Sequence, residues 1–595
     1  MKQTKQNFLG VAHSALGQAW IDSLDREGLN NARTLSQKFG LAEPLARVLA
    51  ARSVSEEEVI NYLDPTLKAL TPDPTTFVDM EKATQRIVKA INRKEKVAIF
   101  GDYDVDGACS SAILFRFLTF FGLDVTIYIP DRIVEGYGPN PQAMKMLADD
   151  GASLIITTDC GANSPEAIKA AREKGVDVVV LDHHQMSEIH REAYALVNPN
   201  RPDDLSGQGH LCAAGLVFIA VAWTLKHLKQ QGRYKEYPDI LCYLDLVALA
   251  TVCDVVPLRG INRAFVVKGL QVARMMSNPG IAALSLVARI GEPLNVFHLG
   301  FLLGPRINAG GRIGDQALGA RLLTTQTEGD ANSIAEELNV LNQERQDIEA
   351  RQLLEAEGDL QSMKIDQNPG VIVVAHEGWH PGIVGILAAR LKEKFRCPTF
   401  AIAIKEDGSA TGSGRSINGV NLGELVSEAV ELGLLEKGGG HAMAAGITVS
   451  KSKIQEFRTW LEHKLSARVS DIHAHETLLI DGVISASGAT KELYEMIEKA
   501  GPFGAGNPLP VFVLPSHRLS DVREVGKGHL LMSISNVEGK KLKAIAFRAV
   551  GTELGDFLMA HLGKNIHIAG NLSLNYWNGQ ALPQLRVIDA AEPNQ

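Results

Sequence analysis

Between residues 96 and 200 the sequence alternates four short apolar runs with three helix-like segments, which predicts an α/β fold built on a doubly wound parallel sheet. A polar, helix-favouring stretch over 329–363 then leads into a second strand–helix region, so a second α/β domain joined by a long helix is expected. After about residue 475, short alternating segments with Gly and Asn turns predict a small C-terminal all-β barrel. The expected division is an N-terminal extension over 1–75, a first α/β domain over 76–325, a connector helix over 326–366, a second α/β domain over 367–466 and a barrel domain over 475–595.

Residues 1–50 carry no readable motif. "KVAIF" (96–100) is a short buried strand, and "ACSSAILFRFLTFFG" (108–122) a helix stopped by Gly122. "DVTIYIP" (124–130) is a strand ended by Pro130, and "NPQAMKMLADDG" (140–151) a helix with a glycine stop. "SLIITTD" (153–159) and "DVVVLD" (177–182) are strands on either side of "SPEAIKAAREKG" (164–175), a helix with Pro165 in its first turn. In the connector, the apolar positions 334, 338, 341, 348 and 353–354 are spaced for one helical stripe. The barrel segments are "PVFVLP", "LLMSISN", "KLKAIAFRAV", "NIHIAGNLSLNYW" and "QLRVID". No period of 20–50 residues repeats.

The chain has 595 residues, 45% hydrophobic and 22% charged, the ordinary mix of a soluble protein with several domains. The longest uncharged apolar run, Leu211 to Leu225, is too short for a membrane span and reads as a buried helix. Lys2 and Lys5 are followed by His13 and Gln18, unlike a signal peptide. Six scattered cysteines without a CxxC pair point to a reduced, cytoplasmic setting and exclude a zinc ribbon or a disulfide framework. A net charge of −9 and a pI of about 6.0 lend no support to a nucleic-acid partner, although local basic clefts coexist with acidic totals.

Four acidic motifs end apolar runs. Asp102, Asp104 and Asp106 follow the first strand, Asp159 the third, and Asp182, His183 and His184 the fourth; Asp254 ends "LVALATVCD". Three carboxylates within five residues repel one another, and a fold has no need of that arrangement. A lone Asp at a strand end is usually a turn or cap residue, and DYDVDG lacks the distal Glu of a calcium loop. A doubly wound sheet brings such strand ends to one crevice, where many aspartates and a histidine suit magnesium or manganese. A pair of such ions is the usual clamp for phosphoryl displacement.

DYDVDG, TTDCG, DHH and CDVVPL, in this order, resemble the DHH phosphoesterase superfamily. "GSGRSINGVNL" (412–422) and "GGGHAMAAG" (438–446) are similar to its associated DHHA1 domain. With "GPRINAGGRIG" (304–314), the long helix and the barrel, the layout over about residues 50–590 resembles the single-strand-specific 5′→3′ DNA exonucleases of bacteria. The resemblance implies two Mn²⁺ or Mg²⁺ ions held by Asp104, Asp106, Asp159, His183 and Asp254, with Asp159 bridging them. It gives Asp102 and Asp182 the task of orienting ligands, and has His184 bind the scissile phosphate or stabilise its charge. Metal-activated water makes a protein nucleophile unnecessary, and Cys160 and Cys253 read as small packing residues.

The glycine-rich 438–446 loop lets backbone N–H groups approach a phosphate, but lacks the Lys-Ser pair of a nucleotide P-loop. By resemblance, Arg306, Ser413 and Arg415 hold the 5′-terminal phosphate, and Gly439, Gly440 and His441 the backbone. Arg312 flanks "NAGG" as a further phosphate fork or as a surface arginine, and His380 is either a nucleotide contact or a turn-forming histidine. The barrel resembles an OB fold, with charge from Lys527, Lys540, Lys541, Lys543 and Arg548 and stacking faces at Phe547, Tyr576 and Trp577.

The leading expectation is a metal-dependent exonuclease degrading single-stranded DNA 5′→3′ to mononucleotides, in DNA repair and recombination. A phosphodiesterase on short oligoribonucleotides or cyclic dinucleotides is the alternative, and the C-terminal barrel argues against it. A non-catalytic scaffold, like a eukaryotic replication relative, would have lost acidic motifs that this chain keeps. The family implies a single-stranded-DNA-binding protein and a RecQ-type helicase as partners; a monomer without membrane association is the default.

Overall fold

The computed structural model describes residues 7–131, 135–186, 188–362, 369–577 and 580–593, with the side chains of Tyr576 and Trp577 outside that set. Near the N-terminus, β1 (Ala19–Asp22) waits for a partner strand far along the chain. Next come β2 (Val97–Gly101), α1 (Val105–Phe120), β3 (Val125–Tyr128), β4 (Leu154–Thr158), β5 (Asp177–Leu181) and β6 (Ala195–Val197). The strands pair in parallel in the order β3-β2-β4-β5-β6. Strand alternation feeds two cores: Ile99, Ile156 and Val179 join Ile113 and Phe117 of α1, whereas Phe100, Ile155 and Val180 join Met144 and Ile168 on the opposite face. Covered faces explain the continuous apolar runs and confirm the doubly wound sheet. The chain order reverses at β2, between β3 and β4, and such switch points open a crevice beyond the strands' carboxyl ends. β6 was not foreseen, because three residues carry no periodic signal.

The apolar run at 211–225 lies in α2 (Ala213–Gln231), followed by α3 (Leu244–Cys253) and α4 (Gly304–Ile313). The connector, α5 (Glu328–Ser362), has 35 residues and is about 52 Å long at about 1.5 Å per residue. Its buried stripe matches the expected one in part. Ala331, Ala335, Leu338, Asn342, Arg345, Glu349, Gln352, Ala356 and Leu360 face inward, while Leu354 is 71% exposed. Of the anticipated apolar positions Leu338 is buried on this stripe, and Ile334, Leu341 and Leu353 pack half-buried against the two cores beside it; the middle of the stripe is polar, so hydrophobicity alone misses it. Its ends join different cores, Leu338 that of the first sheet and Ala356 and Leu360 that of the second.

The second sheet comprises β7 (Ile372–Glu377), β8 (Thr399–Ile404), β9 (Ser409–Arg415), β10 (Lys437–Gly440) and β11 (Ala444–Ser450), in the order β10-β11-β9-β8-β7, with α6 (Val384–Phe395) after β7. β7 and β8 are parallel and the rest antiparallel. After β12 (Thr477–Ile480) and β13 (Gly482–Val483), strands β14 (Phe512–Val525), β15 (His529–Ser535), β16 (Lys541–Ala546), β17 (Asn565–Trp577) and β18 (Gln580–Ala591) follow. Pairings β14–β15, β15–β16, β16–β18, β18–β17 and β17–β14 close a five-stranded barrel, as expected for an OB-like domain. Among the described residues, no helix is long and apolar enough to cross a membrane.

The N-terminal residues are no loose extension. β1 pairs in parallel with β12, and Trp20, fully buried, donates from Nε1 to buried Asp589 Oδ2 (2.9 Å). Leu35, Leu45, Val48, Leu49 and Val59 share one core with Phe512, Leu519, Ile568 and Leu585 of the barrel. The barrel domain is tied in turn to the first α/β domain: Ala505 O accepts from Leu258 N (2.8 Å), and Arg263 donates to Ala500 O and Gly501 O (3.2 and 2.6 Å). We expect Leu49→Ala to cost about 2–5 kcal/mol. Hydrogen-exchange mass spectrometry should then find faster exchange in β14–β18; acceleration confined to residues 26–63 would mean that the cores are separate.

Candidate metal centre

β2, β4 and β5 end at Gly101, Thr158 and Leu181, which puts Asp102, Asp159 and Asp182 at the carboxyl edge of the sheet. Asp104 is the N-cap of α1, accepting from Gly107 N (3.0 Å). A Cβ on Gly107 would lie 2.4 Å from Asp102 O, so the DYDVDG turn closes on itself only with glycine there. Asp106 enters the first turn of α1 and is clamped by the N-terminus of α2, whose Ala213 N and Ala214 N donate to Oδ2 and Oδ1 (2.6 and 2.8 Å). Asp159 itself has φ 61°, a strained conformation of the kind that clusters at functional sites. Asp254 corrects one expectation. It is the C-cap of helix α3, not a strand end.

His183 Nε2 lies 3.2 Å from Asp159 Oδ1 and 3.7 Å from both Asp106 Oδ2 and Asp254 Oδ2. Three donor groups, each with its atoms within 4.8 Å of one another, share members: Asp106–His183–Asp254, Asp159–His183–His184 and Asp102–Asp104–Asp159. The five residues expected as ligands thus converge, and Asp102 stands among them rather than behind them. Asp182 does stand behind, accepting from Ala162 N at Oδ2 and from His183 N, His184 N and His184 Nδ1 at Oδ1 (2.7–3.1 Å).

Burial and the neighbouring carboxylates push Asp159 well above the usual range, and burial with Asp106 and Asp104 pushes Asp254 up to about 9. Burial also raises Asp106, against the pull of His183. Burial would raise Asp182 too, but its bond to His184, with the charges of both histidines and the Ala162 N–H, holds it low; burial lowers His184, and the same bond together with the charges of Asp182, Asp102 and Asp104 raises it. Asp159 Oδ1 and Asp254 Oδ2 are buried and accept no hydrogen bond, near as His183 is. Oxygen-rich donors, with one or two imidazoles, that repel one another and leave Asp159 Oδ1 and Asp254 Oδ2 without an N–H partner fit hard divalent cations.

Three family models match the chain: the DHH family N-terminal domain over 96–251, the DHHA1 domain over 368–467 and the RecJ OB domain over 480–589. The single-stranded-DNA-specific exonuclease RecJ of Bacillus subtilis is 34% identical over 96% of this chain and 70% of its own length. That of Escherichia coli is 34% identical over 92% and 96%. The chain belongs to the RecJ family. Among solved structures, RecJ of Thermus thermophilus in complex with Mn²⁺ has a TM-score of 0.77 at 27% identity, covering 95% of this chain and 78% of that one. Its Mg²⁺ complex has a TM-score of 0.71 at 26% identity, covering 95% and 77%.

The remaining candidates do not share one place. Arg415 Nη1 donates to Ser413 Oγ (2.8 Å), and both sit at the N-terminus of α6, where a Cβ on Gly385 would lie 3.1 Å from Arg415 Nη2 and 3.2 Å from Ser413 Oγ. Arg306 points elsewhere, donating to Asn339 Oδ1 and Leu302 O (3.1 and 2.7 Å). Gly439, Gly440 and His441 lie on the exposed edge strand β10 and its turn; Gly440 has φ 155°, and a Cβ there would lie 2.4 Å from Ala444 O. His380 Nδ1 accepts from Gly382 N (3.1 Å), the turn-forming role, and Gly382 O accepts from Arg312 (2.9 Å).

A cleft of about 730 Å³ joins all the large parts of this RecJ-family chain. Arg312, Arg345 and Arg390 line it from both α/β domains and α5, Lys527 and Arg548 from the barrel. Glu349, its one acidic lining residue, pairs with Arg345 and Arg390 (2.5 and 2.8 Å). Phe547 is 54% exposed beneath Arg586. Tyr576 and Trp577 fall outside the described side chains. Arg345, Glu349 and Arg390 were missed from sequence; the detectable signal was the polar run 342, 345, 349, 352 continuing the apolar spacing of α5.

Mn²⁺ at about 100 times its Kd should stabilise the wild type by about 2.7 kcal/mol. Asp159→Asn removes a buried like charge, so the metal-free variant should melt higher while its Mn²⁺-dependent rise nearly vanishes. Scanning fluorimetry with and without Mn²⁺ measures both, and an undiminished Mn²⁺ shift would remove Asp159 from the centre.

Proposed function

We propose that this chain is a metal-dependent exonuclease on single-stranded DNA, cutting from the 5′ end towards the 3′ end and releasing mononucleotides, in DNA repair and recombination. The observation that carries the reading is the convergence of Asp104, Asp106, Asp159, His183 and Asp254 at one sheet edge. In this reading those five would hold two Mn²⁺ or Mg²⁺ ions, Asp159 being the carboxylate common to two of the donor groups. Bound there, the ions supply Lewis-acid stabilisation and an activated water for phosphodiester displacement. The chain's own part is positional. The N-terminus of α2 fixes Asp106, and Asp182 keeps His184 oriented beside the scissile phosphate.

In this reading polarity comes from Ser413 and Arg415, which lie against Gly385 in the first turn of α6 and so suit a terminal phosphate. The basic cleft leads the rest of the strand past Arg312, Arg345 and Arg390 to the barrel, where Phe547 offers a stacking face. Such a path serves a long strand better than a dinucleotide, which favours DNA exonuclease over the oligoribonucleotide reading. In the proposed division, 76–325 carries the metals, 326–366 connects, 367–466 holds the end and 475–595, joined by 1–75, grips the strand. A monomer in the cytoplasm, working with a single-stranded-DNA-binding protein and a RecQ-type helicase, completes the proposal.

The deciding experiment digests single strands labelled at either end, beside duplex and RNA. Mononucleotides should appear from the 5′ label first with Mn²⁺ and not with EDTA; release from the 3′ label first, or in EDTA, overturns the reading. Arg415→Ala should cut the rate ratio between 5′-phosphate and 5′-hydroxyl strands by about tenfold, the scale of a charge-assisted contact of about 1.5 kcal/mol. An unchanged ratio would put end recognition elsewhere.

A further inference from the structure

His183 is held through its backbone on both sides. Its N–H donates to Asp182 Oδ1 (2.7 Å), and its carbonyl accepts from Asn200 Nδ2 (2.6 Å). His184 is held in the same way, its N–H by Asp182 Oδ1 (3.1 Å) and its carbonyl by Asn198 Nδ2 (2.8 Å). The two amides are locked together: Asn198 is fully buried, and its Oδ1 accepts from Asn200 N (2.8 Å).

Asn200 Nδ2 also donates to Gly209 O (3.0 Å), and a Cβ on Gly209 would lie 2.3 Å from Asn200 Oδ1. The loop from 201 therefore returns onto Asn200 immediately before α2, whose first amides clamp Asp106. Its outer side is tied down, Arg201 to Asp79 (3.2 Å) and Asp204 Oδ2 to Val78 N (2.9 Å). One side chain thus joins the backbone that carries His183 to the backbone that carries the clamp on Asp106.

We propose that Asn200 is a positioning residue that sets the separation of His183 from Asp106 and thereby the affinity of the metal centre; this rests on the metal-dependent reading above. Asn200 acts through the carbonyls of His183 and Gly209. Half-buried on a loop, it can be replaced without opening a core. Asn200→Asp exchanges the donor for an acceptor facing two carbonyl oxygens, and Asn200→Ser shortens the reach.

The test titrates Mn²⁺ into full-length wild type, Asn200→Asp and Asn200→Ser by calorimetry, with melting curves as the folding control. Both variants should bind Mn²⁺ at least tenfold more weakly, the scale expected when a ligand loses its orienting partner. Turnover of single strands at limiting Mn²⁺ should drop and recover at high Mn²⁺, with KM for the strand unchanged. Asn200→Ser keeps the test open if Asn200→Asp does not fold. Folded variants with wild-type Mn²⁺ affinity overturn the inference. A wild type that binds no Mn²⁺ overturns the metal reading beneath it, and so separates the two failures.

Discussion

Like charge forced into one poorly solvated crevice is the constraint on which the rest of the structure depends. Two unit charges about 4 Å apart repel by about 4 kcal/mol at an effective dielectric of about 20. Asp102, Asp104, Asp106, Asp159 and Asp254 share such a space with only two imidazoles. The fold holds them against repulsion with rigid devices: a parallel sheet whose strand ends cannot splay, the α2 amides on Asp106, and a glycine turn that closes DYDVDG. Asp182 shows the contrast. With three backbone N–H groups and a histidine ring around it, the same buried carboxylate stays low in pKa. Repulsion is left unrelieved at Asp159 Oδ1 and Asp254 Oδ2, beside an acid relieved at Asp182.

The connector helix solves a different problem. A helix about 52 Å long must belong to two cores without exposing an apolar face across the gap between them. Its inward stripe therefore changes from alanine and leucine to Asn342, Arg345, Glu349 and Gln352 where it crosses, and returns to apolar residues beyond. Buried charges need partners, and Glu349 serves both Arg345 and Arg390. The result is a cleft wall with more cations than anions, built from residues that also fasten the second sheet to the first.

The barrel is fastened just as firmly. Its core takes side chains from the first 60 residues, and its 500–508 loop bonds to the segment that follows Asp254. A barrel that shares its core with the first 60 residues and bonds to the first α/β domain is an integral part of the molecule.

Local pattern was enough for much of this. Strands β2 to β5, their helices, the five barrel strands and the acid and histidine motifs were legible because they depend on the period of hydrophobicity and on residues adjacent in the chain. Other features had no local signal. The α5 stripe was legible only in part because its buried centre is polar, and burial there is decided by what packs against it. Asp254 ends a helix because an apolar run as short as 246–253 fits helix and strand alike. The N-terminal residues had no motif because their partner strand lies more than 450 residues away. Asn198 and Asn200 carry no sequence signal, since an amide's role depends on which carbonyl it reaches. Sequence determines which groups the chain carries and their local geometry; distance between groups far apart in the chain is set only when the packed cores bring their backbones together.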